Sequence, residues 1–207
     1  MALSTIGTNS IADDAVGNTK LDLTANYTFT GTVSGAGGTY NLISTTDATS
    51  ASSVSFTNLS GTGTNIIHVK NLYDSSDSDF RFRFITSGGE VTDSNYHTVG
   101  IMRSVQGNGS THYTVGGDYG IIFDAVDDNG GGEDIRSSCT ITIPKVASGN
   151  NPSLYGIGYQ QSHNGNKNLA KFAGIQINTT AVVTGIKLFP GSGNFAQITA
   201  SLYGVDE

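Results

Sequence analysis

The stretch Phe80-Arg81-Phe82-Arg83-Phe84 sets aromatic and charged side chains at alternate positions. Successive side chains of a β-strand point to opposite faces of the sheet, so the three phenylalanines share one face and the two arginines the other. On a helix the same residues would be spread around the whole circumference. The stretch therefore predicts a strand with one face in a hydrophobic core and the other at the surface.

Short segments with this alternation follow one another from about residue 51 to the end of the chain. Turns rich in glycine, serine, asparagine and aspartate separate them. The segments are Ser53 to Leu59, Asn65 to Leu72, Tyr96 to Val105, Ser110 to Gly116, Tyr119 to Phe123, Cys139 to Ile143, Leu154 to Tyr159, Leu169 to Asn178, Val182 to Phe189 and Phe195 to Tyr203. No stretch of a dozen residues has the period and caps of an amphipathic helix. We predict an all-β fold, an antiparallel, jelly-roll-like β-sandwich over residues 51–207.

The alternation also predicts which side chains face the core. Cys139 lies on the apolar side of its segment, so we expect a buried structural thiol and not a nucleophile. His68 and Lys70 alternate with Ile67 and Val69, which predicts a solvent face or a subunit contact for the two polar residues. We expect the following side chains on inner faces of the sandwich: Phe56, Phe80, Phe82, Phe84, Ile141, Ile175, Ile186 and Leu202.

Residues 1–50 have a different pattern, because aromatic residues are absent before Tyr27 and large apolar residues stand alone. Ordering each residue costs roughly 1–2 kcal/mol of backbone entropy, whereas burying one Ile or Leu returns about 1.5–3 kcal/mol. One apolar residue in five cannot order the segment in an isolated chain. We predict an extended N-terminal segment that attaches to sister chains or to another protein through Ile6, Ile11, Val16 and Leu21.

The composition argues against several classes of partner and site. The single cysteine permits no intrachain disulfide and no thiolate zinc cluster. A net charge of -7 argues against binding to nucleic acid. No stretch approaches the ~20 apolar residues that span a bilayer, and the N-terminus lacks a basic leader with an apolar run, so we expect neither membrane insertion nor a secretion signal.

Candidate chemical groups are few. The acidic loop 124–134 offers oxygen ligands for calcium without the spacing of an EF-hand, so we expect a solvated loop and leave a calcium site open. Asp74, Asp77 and Asp79 read as a polar hairpin tip. No Gly-x-Ser-x-Gly elbow is present. We predict a non-enzymatic protein without metal or cofactor, and no metal-ligand spacing joins the histidines His68, His97, His112 and His163.

Tyrosines close to amide-rich loops suggest a contact with carbohydrate, because tyrosine rings can stack on sugar faces. Tyr155 and Tyr159 precede the run Gln160 to Asn164, which contains His163. These three residues are the candidate glycan contacts. Packing of the tyrosines at strand ends or between subunits is the alternative that we favour.

Two parts of the chain resemble a known group of proteins. Residues 9–21, NSIADDAVGNTKL, are followed by residues 27–35, YTFTGTVSG, and residues 184–195, TGIKLFPGSGNF, precede the ending LYGV at 202–205. These pieces resemble the N-terminal repeats and the C-terminal jelly-roll module of tailed-bacteriophage virion structural proteins of the fibre, appendage and decoration type.

The resemblance implies a homotrimeric virion component, assembled in the cytoplasm of the host bacterium. Its partners would be sister chains and other proteins of the capsid, neck or tail. We expect a short tail or neck fibre or appendage that docks through its N-terminal segment and projects the β-sandwich. A capsid decoration protein and a receptor-binding tip that recognises host surface glycan are the alternatives, and the sequence does not assign a position on the virion.

Overall fold

The computed structural model of the chain describes residues 40–60, 63–104, 109–126, 136–145, 150–161, 167–176 and 181–205. These residues form strands and connecting turns, which confirms the all-β prediction. Within the described ranges there is no helix long and apolar enough to cross a membrane. The strands are β1 (Tyr40–Ala51), β2 (Val54–Phe56), β3 (Thr64–Asp74), β4 (Ser78–Thr86), β5 (Gly89–Glu90), β6 (Tyr96–Ser104), β7 (Gly109–Gly117), β8 (Gly120–Val126), β9 (Ser137–Ile143), β10 (Ser153–Gln161), β11 (Lys167–Gln176), β12 (Val183–Pro190) and β13 (Phe195–Val205).

Two antiparallel sheets pack face to face, as the sequence predicted. The larger sheet has eight strands in the order β1-β13-β3-β9-β10-β11-β6-β7. In the smaller sheet β4 pairs with β12 on one side and with β5 and β8 on the other, and β2 pairs with β12. Strands from the first half of the chain pair with strands from the second half in nested order: β3 with β13, β4 with β12 and β6 with β11. In the larger sheet, β9 and β10 lie between β3 and β11.

The aromatic face of β4 is the centre of the core. Phe80, Phe82 and Phe84 are fully buried in the smaller sheet, and their rings meet those of the larger sheet. The ring centroids of Phe82 and Tyr96 lie 5.6 Å apart, and those of Phe80 and Phe195 lie 5.9 Å apart, both edge to face. This geometry brings the positive edge of one ring to the negative face of the next. The β4 strand therefore joins the two layers.

Tyr96 carries the one hydroxyl within this aromatic group, and that hydroxyl has two partners. The backbone N–H of Phe84 donates to it at 2.8 Å, and it donates to the carbonyl of Val91 at 3.1 Å. Burial raises the pKa of Tyr96 well above its ordinary value. The phenol therefore stays neutral and ties β6 to the end of β4.

Two glycines make room for Phe82. A Cβ on Gly174 would lie 2.7 Å from the Phe82 ring, and one on Gly120 would also overlap that ring. Any side chain at either position would force the ring to move. Gly174 on β11 is thus required by the close approach of the two sheets, and Gly120 on β8 by its place beside Phe82 within the smaller sheet.

The inner-face prediction is confirmed for all of its residues except Ile175. In β11 the side chain of Phe172 faces inward and meets the ring of Phe123 at 5.9 Å. Alternation then turns Gly174 and Gln176 inward and Ile175 outward. The prediction for Ile175 is wrong. Both faces of β11 carry apolar residues, so the sequence alone allows either face to be turned inward. The contact of Phe172 with Phe123 places the face opposite to Ile175 in the core.

The larger sheet begins inside the range assigned to the N-terminal segment, since β1 starts at Tyr40 and pairs with β13 along its length. β1 is an edge strand with one face exposed and the other only half-buried, so its mostly polar sequence shows little hydrophobic alternation. Backbone pairing and side-chain bonds hold it, such as Thr45 Oγ1 to Ser201 Oγ at 2.9 Å. The predicted attachment residues lie outside the described residues: Ile6, Ile11, Val16 and Leu21.

We predict that Phe82→Ala lowers the free energy of unfolding by about 3–5 kcal/mol, because it leaves a cavity between the sheets. Ile175→Ala, on the outer face, is the matched control and should cost less than about 1 kcal/mol. Denaturant unfolding followed by tyrosine fluorescence measures both. Equal losses for the two variants would contradict the assignment of the two faces.

Candidate functional site

The candidate glycan residues of β10 lie on the outer face of the larger sheet. Tyr155 is exposed and Tyr159 is half-buried, and both point away from the core. Ile157 lies between them on the same face, because side chains two apart on a strand share a face. The structure thus places the two tyrosines on one face of the same strand, four residues apart. His163 lies outside the described residues.

A polar groove runs over β9, between β3 and β10. The outward side chains of β9 are short hydroxyls, whereas those of the flanking strands are longer. His68 Nδ1 is 3.0 Å from Thr140 Oγ1 at the floor, and the His68 ring meets Tyr203 edge to face at 5.3 Å. The groove has a volume of about 240 Å³ and is lined on this face by His68, Lys70, Ser138, Thr140, Ile157 and Tyr159.

The position of His68 and Lys70 agrees with the sequence prediction, because Ile67 and Val69 are buried on the opposite face of β3. The groove offers an imidazole, an ammonium group, hydroxyls and a phenol on one surface. Such groups can bond to the hydroxyls of a sugar, and the tyrosine ring can cover its apolar face. The arrangement can bind a polar ligand.

An apolar patch adjoins the groove on strands β10, β11 and β6. The cross-strand register lines up Val99, Ala173 and Tyr155 in one row and Ile101, Lys171 and Ile157 in the next. A second groove, of about 410 Å³, follows the first row. The outer-face patch consists of five large side chains that are each 47–59% exposed: Val99, Ile101, Tyr155, Ile157 and Leu169.

Sequence reasoning did not single out the patch residues of β6 and β11. In β6 the residues Thr98 and Met102 face inward, while Val99 and Ile101 face outward. A strand with apolar residues at both parities reads from the sequence as buried on both faces. The apolar residues on the outer face of β6 were therefore visible in the sequence, but their pattern equally indicates a strand that is buried on both faces.

The outer face of the smaller sheet carries paired charges. Arg83 forms ion pairs with Asp118 at 2.6 Å and with Glu90 at 3.5 Å, and Lys187 meets Glu90 at 2.6 Å. The hydrogen bond from Lys187, followed by the charges of Lys187 and Arg83, holds the pKa of Glu90 below its ordinary value. The prediction that the arginines of β4 face the surface is confirmed. The charges neutralise one another locally, which suits a solvated face.

Cys139 is buried beneath the polar groove, as predicted. Burial raises the pKa of its thiol far above the ordinary range. A thiol that stays protonated is a poor nucleophile and a poor metal ligand. The residue therefore acts as a small apolar side chain in the core.

No group of three or more His, Cys, Asp or Glu side chains that could hold a metal ion occurs among the described residues. Most of the acidic loop 124–134 falls outside those residues, since the described part ends at Val126 and resumes at Arg136.

Asp74 is fully buried at the end of β3, which corrects the prediction of a polar hairpin tip at this residue. The strand register turns its carboxylate inward, where Ser78 Oγ donates to Oδ2 at 2.7 Å while Oδ1 has no hydrogen-bond partner among the described residues. Burial, with smaller contributions from the charges of Asp79 and Asp77, raises the pKa of Asp74 to about 7, and the Ser78 bond opposes this rise.

Comparison with known proteins assigns no family to the chain. No protein-family model matches it, and no curated protein matches its sequence. The features that indicate a function lie on the outer face of the larger sheet, where an apolar patch adjoins a polar groove.

We predict that Asp74 makes stability depend on pH. Its pKa is 3.8 in the unfolded chain and about 7 in the folded one, so the folded state holds the proton more tightly. The stabilisation by the protonated carboxyl is complete below pH 3.8 and is lost as the pH rises to about 7. The expected loss is about 1.4 kcal/mol per pH unit across this interval.

Asp74→Asn removes the titrating group, so it should flatten the pH dependence between 4 and 7 and raise stability above pH 7 relative to the wild type. Asp93→Asn, at an exposed turn, is the matched control and should keep the wild-type slope. Chemical unfolding at a series of pH values measures the effect. A wild-type slope in Asp74→Asn would refute the prediction.

Proposed function

We propose that this chain is a non-enzymatic structural protein of a bacteriophage virion, in which the β-sandwich assembles with other chains through the outer face of its larger sheet. The observation that carries the proposal is the outer-face patch. Single exposed apolar residues are ordinary on protein surfaces, whereas a contiguous group of large ones marks an interaction surface. A structural protein that assembles with other chains needs an interaction surface of this kind.

The residues that carry the resemblance to phage virion proteins support the same proposal at the level of the fold. The stretch 184–195 forms most of β12, the following turn and the first residue of β13. Its apolar members Ile186, Leu188 and Phe195 are fully buried, and so is Leu202 of the ending LYGV. These residues build the core of the sandwich, as expected of a structural module and not of a reactive site.

Within this proposal the chain is a short tail or neck fibre or appendage that forms a homotrimer and is assembled in the host cytoplasm. Its N-terminal segment docks to another virion protein and the sandwich projects. A capsid decoration protein is the alternative placement on the particle.

We predict that deleting residues 1–30 leaves a folded sandwich, because every described strand lies at or beyond Tyr40. The truncated chain should melt cooperatively but no longer incorporate into particles. Immunodetection in purified particles, with the full-length chain as control, measures incorporation. Normal incorporation of the truncated chain would reject docking through this segment.

A receptor-binding tip is the second candidate function, and the polar groove over β9 favours it. Tyr159 and Lys70 flank hydroxyl side chains there, with Tyr155 farther along the same wall. These groups suit a carbohydrate of the host surface. An apolar protein interface would have no need of a hydroxyl floor.

We predict for this second function that Tyr159→Ala weakens glycan binding by about tenfold or more, which corresponds to about 1.4 kcal/mol of lost ring contact. Tyr40→Ala, exposed on β1 at the far edge of the sheet, is the matched control and should bind like the wild type. A glycan array and host lipopolysaccharide provide the ligands. Absence of binding by the wild-type chain would exclude this function and leave the structural one intact.

A further inference from the structure

We propose that copies of this chain bind one another head to tail, with the outer-face patch of one copy against the exposed side of β1 in the next. This inference rests on the proposed role of the outer face in assembly, and it names the partner and the two surfaces. Both surfaces belong to the larger sheet, and four strands, β13, β3, β9 and β10, lie between β1 and the β11–β6 part of the patch.

The patch has the size of the apolar centre of a protein interface. A half-exposed side chain of this size shows roughly 100 Å² to solvent, so the five of them present about 500 Å². A standard interface buries about 800 Å² on each partner, with an apolar centre and a polar rim. Ala173 and Lys171, which lie between these side chains, and the polar residues at the border supply the remaining area.

The charges within and beside the patch argue against two patches facing each other. Strands β6, β10 and β11 contain no Asp or Glu, whereas Arg103 and Lys171 are exposed on them. An interface of the patch with itself would gather these cations from both copies on one surface. The chain as a whole carries a net charge of -7, so acidic surfaces are available elsewhere on it.

The exposed side of β1 complements the patch. Tyr40 and Leu42 are 59% and 60% exposed. Asp47 on the same strand is exposed and accepts a hydrogen bond from Thr199 Oγ1 at 3.1 Å. The strand therefore offers both apolar side chains and a carboxylate to a patch that carries Lys171 between Ile101 and Ile157 and Arg103 at its border.

The position of β1 provides a further reason for a partner at this strand. β1 is the last strand of the larger sheet and has β13 as its only neighbour in that sheet among the described residues. Exposed edge strands with apolar side chains tend to associate with other chains. Because the two surfaces differ, each copy can bind one neighbour through each, and the contacts close into a ring where the rotation between copies permits.

The test measures the mass of the purified full-length chain in solution, by light scattering on a sizing column or by sedimentation. The wild type should have a mass that is a multiple of the monomer. Ile101→Glu in the patch and Leu42→Glu on β1 should each give a monomer. Val182→Glu, at a position 46% exposed outside both surfaces, is the matched control and should keep the wild-type mass.

Mixing the two monomeric variants distinguishes a head-to-tail contact from other arrangements. Ile101→Glu keeps an intact β1 surface and Leu42→Glu keeps an intact patch, so the mixture should form dimers that neither variant forms alone. Leu169→Glu, on another strand of the patch, replaces Ile101→Glu if the latter melts below the wild type in circular dichroism.

Three results would overturn the proposal: a monomeric wild type, an unchanged mass for the patch or β1 variants, or no dimer in the mixture. Any of them would mean that a different occupant covers the patch. The experiment uses purified protein without particles, so its failure is distinct from a failure to find the chain in virions.

Discussion

The packing of Phe82 between the two sheets is the contact on which the rest of the structure depends. Its ring meets Phe84 and Tyr96 edge to face and lies against two glycines, one on β8 and one on β11. This position fixes the register of β4, because a shift of one residue would place Arg81 and Arg83 in the core. It also limits the distance between the sheets, since a side chain in place of Gly174 on β11 would overlap the Phe82 ring of the other sheet.

Once the inner faces are filled, the two outer faces differ in kind. The smaller sheet turns paired charges outward, with Arg83 and Lys187 both meeting Glu90. The larger sheet turns large apolar side chains outward on β6, β10 and β11. Water solvates the first face at little cost, whereas the second exposes surface that association would bury. This difference between the faces is the reason that the proposed assembly is assigned to the larger sheet.

The two proposed roles meet at β10. Tyr155 and Ile157 belong to the apolar patch, while Ile157 and Tyr159 line the polar groove on the other side of the strand. A partner that covers the patch would therefore form one wall of the groove. Assembly and carbohydrate binding would then act through the same strand, and a subunit contact would shape the ligand site.

Local alternation was enough to predict the all-β class, the buried faces of β3, β4, β9 and β13, and the burial of Cys139, because period-two patterns are a property of one strand alone. It did not decide the inward face of β11, the membership of β1 in the sheet, the burial of Asp74 or the outer-face patch. Each of these features depends on residues that are distant in sequence. The contact of Phe172 with Phe123 turns Ile175 outward. Backbone hydrogen bonds to β13 hold the mostly polar strand β1 in the sheet. Cross-strand register is a tertiary property, so only the folded chain fixed these features.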